Sequence, residues 1–306
     1  MRSGFVAVVG RPNVGKSTLV NLMVGAKVSI TSTKPNTTRY RILGILHDTA
    51  ADAQVVFVDT PGIHRPRSSL GSRLNETATD ALNDVDVIMA IVDATAPVGP
   101  GDRMVRGRSV RVVQRGTASA AASGDDEDAP SLVVVVNKVD SAPRGRVLER
   151  LAEVKDAVDA LDEELPVEYF PVSARTGEGV EELKAYLIAR LREGPPFFPD
   201  DVVTDTPEAL WVAELVREQL LARTRDELPH AINCRVTEWE WPHIRVEIIV
   251  ERESQKAIVI GRGGEVLKEV GIAVRQSLPE GAYLDLHVKV ERHWQNREEM
   301  LDRLGY

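Results

Sequence analysis

Eight residues near the start of the chain, Gly10-Arg11-Pro12-Asn13-Val14-Gly15-Lys16-Ser17, constrain its fold more than any other stretch. They fit G-x-x-x-x-G-K-[ST], a pattern that cradles phosphate. Phe5 to Val9 ahead of them is a short apolar run, as a strand buried on both faces would be. Thr18 to Val24 behind them reads as the start of a helix, with Leu19, Val20, Leu22 and Met23 apolar. Gly10 and Gly15 let the backbone turn so that successive N–H groups face a bound phosphate at the positive end of that helix. Lys16 is a point charge for β- and γ-phosphates, and the Ser17 hydroxyl suits Mg²⁺. At ordinary residue usage a chain of this length meets the pattern by accident about 1% of the time. The strand–loop–helix setting makes accident rarer still.

Three further motifs follow in order. Lys34 to Tyr40 is a polar loop, and two strands are expected at Arg41 to His47 and Gln54 to Val58. The second runs into Asp59-Thr60-Pro61-Gly62. A carboxylate at the end of the next parallel strand belongs near the metal, usually through a water, and Gly62 can bring its N–H to the γ-phosphate. By itself D-T-P-G is a common turn sequence; behind a phosphate loop it gains meaning. Two more buried strands, Val85 to Asp93 and Leu132 to Val136, lead to Asn137-Lys138-Val139-Asp140. Guanine presents N1–H and an exocyclic amine side by side, and the Asp140 carboxylate accepts both. Adenine would set a lone pair against that carboxylate, and sites with such matched polar groups reject the wrong partner by roughly 10⁴-fold. The Lys138 stem packs on the base plane and Asn137 braces the loop. After Phe170-Pro171-Val172, the backbone N–H groups of Ser173 and Ala174 are placed to meet guanine O6. GTP or GDP is the expected nucleotide.

The 306 residues allow two domains. Lys and Arg number 38 against 47 Asp and Glu, a net charge of −9, so the whole chain is no polycation. The single cysteine, Cys234, rules out an internal disulfide, suits a reducing compartment and is expected to be a small core residue. The first strand leaves no room for a leader, and the longest apolar stretches are far too short to span a bilayer. A cytoplasmic protein is expected, with peripheral attachment to the inner face of the membrane left open.

Val180 to Leu191 carries Leu183, Leu187, Ile188 and Leu191 on one stripe and is expected to close the first domain. Gly194 to Asp201 holds three prolines and reads as a stiff linker. Pro207 to Thr224 has the helical period. Strands are expected at Ile232 to Glu238 and Ile244 to Glu251. Lys256 to Ile260 then enters Gly261-Arg262-Gly263-Gly264, followed by a helix from Glu265 to Leu278 and a strand from Tyr283 to Glu291. A bare G-x-x-G is expected about once per chain of this length by accident. Its place between two helices, in an α-β-β-α-α-β order, is where a KH domain clamps four nucleotides of a single strand. Against broad affinity for nucleic acid stands the local charge, 11 Lys and Arg to 13 Asp and Glu from Ile232 to Tyr306. RNA binding there must use a local groove and base contacts. Trp239, Trp241 and Trp294 are able to stack on bases, although Trp239 and Trp241 sharing one strand face favours packing. His243, His287 and His293 are too scattered for a metal site.

The chain resembles the translation-factor-like branch of P-loop GTPases, and more closely the bacterial Era family. The resemblance rests on GRPNVGKSTLVN, TTRYR, DTPGIH, LGSRLNETATDAL, NKVD, VSARTGEGVEEL, PPFFPDD, RDELPHA, VERESQKAIVIGRGG and LDRLGY, which together span almost the whole chain. It implies an α/β P-loop GTPase domain with a mostly parallel sheet at 3–193, a linker at 194–207, a smaller α+β type II KH domain at 208–293 and a tail at 294–306. Nucleotide contacts are then expected from Gly10 through Thr18, from Asp59, Thr60, Pro61 and Gly62, and from Asn137, Lys138, Asp140, Ser173 and Ala174. Mg²⁺ would sit on Ser17, Thr38 and, through water, Asp59. RNA would meet Gly261, Arg262, Gly263 and Gly264. Lys16, Thr38, Gly62 and Asn13 are the expected catalytic set. Ile63 stands just after D-T-P-G, where a water-orienting Gln is found in Ras-like proteins, so unaided hydrolysis should be slow. A K⁺ ion near Asn13 would supply the missing charge, as in similar GTPases.

The resemblance further implies a monomer that binds 16S ribosomal RNA near its 3′ end and assists 30S subunit assembly. The competing reading is a membrane-associated, GTP-dependent signalling adaptor whose second domain binds protein. A metabolic kinase is disfavoured because no acceptor site is visible. One stretch departs from the family, Arg103 to Ser131. Two glycines interrupt its basic half, the rest is small and acidic, and a solvated, partly helical loop is expected, its five arginines (Arg103, Arg106, Arg108, Arg111, Arg115) pointing to water rather than to RNA.

Overall fold

The computed structural model describes residues 1–123, 129–224 and 228–306. They form two compact units, one of Met1–Ser29, Thr38–Pro66 and Arg73–Asp205, the other of Ile30–Thr37, Arg67–Ser72 and Thr206–Tyr306.

The first unit is built on one sheet. Strands β1 (Arg2–Gly10), β2 (Ile42–Asp48), β3 (Ala53–Asp59), β4 (Val87–Asp93), β5 (Ser131–Asn137) and β6 (Val167–Val172) lie in the order β2-β3-β1-β4-β5-β6. All pairings are parallel except β2 with β3. A two-residue β7 (Arg192–Glu193) pairs antiparallel with the start of β1. Runs such as Val133-Val134-Val135-Val136 suit strands covered on both faces. Alternation divides them: Val6 and Val8 share a core with Leu19, Val20, Leu183 and Leu187, whereas Ala7 and Val9 share another with Val105, Val113, Val154 and Val158. The first core is covered by α1 (Lys16–Val24) and α5 (Val180–Arg190), the second by α3 (Pro100–Ser123) and α4 (Arg144–Asp159). Helix α2 (Ser69–Asp80) adds Ala78 to the second core. Burying each such Val or Leu contributes about 1.5–3 kcal/mol before entropy is counted.

Register positions the site. Val8 faces Asp59, Gly10 faces Ile91, Asp93 faces Asn137, and Asn137 faces Val172. The ends of five strands therefore line up along one edge.

The stretch read as a partly helical loop is a correction. Helix α3 runs unbroken through Gly107 and Gly116 to Ser123. Burial of Val105, Val110 and Val113 against the sheet outweighs the low helix propensity of the two glycines. Gly116 also answers a packing need, since a Cβ there would meet Pro130 Cδ at 2.5 Å. Arg103, Arg111 and Arg115 are exposed, but Arg106 and Arg108 are half-buried, and Arg108 donates to Thr79 Oγ1 at 2.8 Å. Residues 124–128, which include the acidic run Asp125 to Asp128, lie outside the described residues.

The proline-rich segment after β7 packs on the first unit. Gln54 is fully buried, and its Oε1 accepts from the N–H groups of Phe197 (2.7 Å) and Phe198 (3.1 Å) while its Nε2 donates to Phe198 O (2.7 Å). The Phe5 and Phe197 rings lie 4.7 Å apart, and the Ile45 N–H donates to Val203 O at 2.8 Å.

In the second unit α6 (Glu208–Arg223) and a short α7 (Leu228–Ala231) precede β8 (Asn233–Glu240) and β9 (His243–Val250). Helices α8 (Glu253–Ile260) and α9 (Glu265–Arg275) follow, then β10 (Tyr283–Val290) and α10 (Glu298–Arg303). The sheet order is β10-β9-β8, with β8 antiparallel and β10 parallel to β9. Val212, Leu215, Val216, Val246, Ile248, Val259, Val270 and Val274 form its core, and Cys234 is buried there. Within the same unit the fully buried Arg217 pairs with Glu214 and donates to the Thr37 carbonyl, and Glu218 Oε1 accepts the Thr31 N–H at 2.9 Å.

The tryptophans depart from expectation. Strand β8 ends at Glu240 and β9 begins at His243, so Trp241 stands in the turn rather than beside Trp239 on a strand face. Both are exposed, at 37% and 51%. Trp294 is fully buried, donating Nε1–H to Ala231 O at 2.9 Å and stacking on Tyr306, which removes it from any base-stacking surface. Among the described residues no helix is long and apolar enough to cross a membrane.

Candidate nucleotide and nucleic-acid sites

The phosphate pattern forms the turn between β1 and α1. Gly15 caps the helix in the left-handed conformation at φ 97°, Asn13 precedes it at φ 65°, and the first helical turn holds no acidic residue. The positive helix end is thus left to an anion. Lys16 is buried, and its Nζ reaches the carbonyls of Gly10 (3.4 Å) and Arg11 (3.3 Å). Burial lowers its pKa to about 8 although the Asp59 charge opposes this. Arg11 pairs with Asp102 at 3.4 Å, while Asn13 and Thr18 are exposed and Val14 is buried.

Asp59-Thr60-Pro61-Gly62 lies against that turn. Thr60 Oγ1 donates to Val8 O at 2.8 Å, and the Ile63 N–H donates to Gly10 O at 3.1 Å. A Cβ on Gly62 would meet Pro12 N at 2.5 Å, so only glycine permits this approach. Ile63 is fully buried in the second core, which fixes the peptide before it and leaves no side chain there to orient water.

The oxygens fit a hard cation. Ser17 Oγ and Thr38 Oγ1 lie 2.8 Å apart. Asp59 is fully buried, and neither carboxylate oxygen has a hydrogen-bond partner. Burial raises its pKa, opposed by the charge of Lys16. Two hydroxyls and an unsatisfied carboxylate beside a phosphate turn form an oxygen-only donor set of the kind Mg²⁺ takes.

The base motif sits along the same edge. Asn137, 1% exposed, donates Nδ2–H to Val14 O at 2.8 Å and accepts the Ala174 N–H on Oδ1 at 2.9 Å. Lys138 has φ 69°, and its Nζ reaches Asn13 O and Asp93 Oδ2, each at 2.7 Å. Ser173 Oγ donates to Asp140 Oδ1 at 2.6 Å and Ser141 Oγ to Oδ2 at 2.8 Å; these hold the carboxyl below its usual pKa, with help from Arg175 at 2.5 Å. The four sequence motifs of the nucleotide site therefore converge. Sequence reading missed Asp93, Ser141 and Arg175. Asp93 carried one signal, a carboxylate ending a buried parallel strand as Asp59 does.

In the second unit Gly261 ends α8, and Arg262–Gly264 forms one 3-10 turn before α9, with Gly263 and Gly264 at φ 63° and 82°. Arg262 is exposed. Ile258 on α8 and Ile272 on α9, helices that flank this turn, are 56% and 42% exposed, an apolar surface that the charge count gave no hint of.

Comparison with known proteins agrees with both sites. Residues 5–138 match a family model described as 50S ribosome-binding GTPase, and residues 227–295 match the KH domain. A GTPase Era from Mycobacterium sp. (strain KMS) is 43% identical over 316 aligned residues, covering 100% of this chain and 99% of that one. The GTPase Era of Mycobacterium tuberculosis (strain H37Ra) is 44% identical over 315, covering 99% and 98%. Among solved structures, a variant of Aquifex aeolicus Era bound to GDP and aluminium fluoride is 38% identical with a TM-score of 0.84, covering 100% and 99%. Era in complex with MgGDPNP and nucleotides 1506–1542 of 16S ribosomal RNA is likewise 38% identical, with a TM-score of 0.85 and the same coverage.

Proposed function

The chain belongs to the Era family of GTPases, and on that premise we propose that it is a GTP-hydrolysing switch that binds 16S ribosomal RNA through its KH domain and assists 30S subunit assembly. The observation that carries the nucleotide half is the convergence of Lys16, Asp59, Gly62, Asn137 and Asp140 on the aligned strand ends. One family model's description speaks of the large subunit, but it covers only the first part of the chain. A solved relative that matches along the whole length is bound to a small-subunit sequence.

In this reading the backbone N–H groups of Gly10 through Thr18 and the Lys16 ammonium grip the phosphates. Ser17 and Thr38 would hold Mg²⁺, with Asp59 reaching it through water, and the ion would supply charge neutralisation to the bound polyphosphate. Thr60 and Pro61 carry the chain to Gly62, whose N–H meets the γ-phosphate. Asp140 reads N1–H and the exocyclic amine of guanine, Lys138 lies on its plane, and Ser173 and Ala174 face O6. With Ile63 buried, unaided turnover is slow. A K⁺ ion near Asn13 would supply the charge that an arginine finger supplies elsewhere. Equal rates in K⁺ and Na⁺, for both the parent protein and Asn13→Ala, would remove the ion.

GTP orders the Thr37–Thr38 and Gly62 loops. The protein acts as a cytoplasmic monomer (residues 3–193 for nucleotide, 194–207 linking, 208–293 for RNA, 294–306 closing the chain), with peripheral contact at the membrane as a secondary site. Calorimetry with GDP and ADP in Mg²⁺ tests the nucleotide half, and equal affinity would overturn it. Filter binding to single-stranded RNA from the 3′ end of 16S ribosomal RNA tests the other half. Binding is expected to be lost in Gly263→Asp plus Gly264→Asp; undiminished binding would sink the KH assignment.

A further inference from the structure

Asp93 ends β4, one strand away from the base motif, and belongs to no nucleotide motif of the sequence. It is 8% exposed. Its two oxygens do different things. Oδ1 accepts both the N–H and the hydroxyl of Thr95, at 2.8 and 2.6 Å, closing the turn that follows the strand. Oδ2 faces Lys138 Nζ at 2.7 Å. The same ammonium donates to Asn13 O in the phosphate turn, also at 2.7 Å.

Lys138 is therefore fastened at its tip from two sides, and its backbone is held at φ 69°. Its aliphatic stem, pinned at both ends, has one path across the floor of the base site. A lysine stem free at its tip would lose rotamer freedom each time a base settled on it. Pinning it in advance removes that cost from binding. Burial raises the Asp93 pKa, but the hydrogen bonds from Lys138 and Thr95 outweigh this and hold it below the usual range. The carboxylate is thus ionised at neutral pH.

We propose that Asp93 is a positioning residue for guanine-nucleotide affinity, acting through Lys138 to join the base loop to the phosphate turn. The inference rests on Lys138 belonging to the base site. A turn-closing role alone would need only Oδ1, and Asp93→Asn separates the two roles. An asparagine keeps an acceptor for Thr95 and sets an N–H₂ against the lysine ammonium, where two donors repel.

The experiment is stopped-flow release of a fluorescent GDP analogue, with calorimetry for GDP and ADP and a thermal midpoint for every variant. Asp93→Asn is expected to raise the GDP dissociation rate about ten- to thirtyfold, with the loss in affinity and KM rather than in turnover at saturating GTP. In a Lys138→Met background the same change is expected to add less than about twofold. Should Asp93→Asn fail to fold, Thr95→Val, which loosens Asp93 without touching Lys138, is expected to raise the rate about threefold. Parental release rates in whichever variant folds, or equal effects of Asp93→Asn with and without Lys138, would overturn the inference. A parent protein that does not prefer GDP to ADP would instead overturn the nucleotide assignment beneath it.

Discussion

The amide of Asn137 lies 2.8 Å from the carbonyl of Val14, 123 residues earlier in the chain, and so bolts the base loop to the phosphate turn. Its other atom, Oδ1, accepts the Ala174 N–H at 2.9 Å. Asn137→Ala leaves a buried carbonyl and a buried N–H without partners, at about 1–3 kcal/mol for each. The expected result is a lower thermal midpoint together with a GDP Kd raised at least tenfold, checked by differential scanning fluorimetry and calorimetry.

Asp140 is held ionised by Ser173 and Ser141, so it is a pure acceptor at neutral pH. Asp140→Asn turns one of its two oxygens into a donor. GDP affinity is expected to fall by about 100-fold or more, while xanthosine diphosphate, with a carbonyl where guanine has its amine, is expected to bind better than GDP. Competition against a fluorescent nucleotide reads both, and unchanged preference would remove Asp140 from the base site.

Gly62 approaches Pro12 so closely that any side chain must push the two loops apart. Gly62→Ala is expected to lower GTP hydrolysis about 100-fold, the scale of losing one aligned N–H donor. GDP, which lacks the γ-phosphate, is expected to bind within a few-fold of the parent. Phosphate-release assays beside GDP calorimetry give the comparison.

Lys16 gives the nucleotide site a pH dependence. Burial lowers its pKa to about 8, and a bound polyphosphate must raise it again by favouring the ammonium. Binding therefore takes up a proton in the window above pH 8, and GDP affinity falls as pH rises through it, because free protein must first recover the charge. Calorimetry in buffers of different ionisation enthalpy at pH 7 and 8.8 is expected to show uptake only at the higher value. Lys16→Met should abolish it.

Much of the first unit was legible because local rules and tertiary demands agree. Val133 to Val136 reads as a buried strand and is one, and the phosphate pattern stands between the strand and helix it requires. Alpha3 was not legible. Local propensity reads Gly107 and Gly116 as interruptions, yet the helix is held by Val105, Val110 and Val113 against the sheet, a burial no local window contains. The tryptophans failed for a related reason. The hairpin turn after Glu240 takes Trp241 off the strand, and Trp294 finds its partner in Ala231, 63 residues back.

The order and chemistry of the motifs were properties of the sequence alone, since each needs only its own few residues: glycines that turn, a lysine that carries charge, a carboxylate that matches guanine. How they are made to act together was decided only in three dimensions. Parallel register sets Asp93 beside Asn137 and Asn137 beside Val172, and hydrogen bonds from Asn137 and Lys138 then reach Val14, Asn13 and Asp93 across the strand ends. Partners that lie 45 to 125 residues apart have no local signature, because what joins them is the closing of the sheet itself.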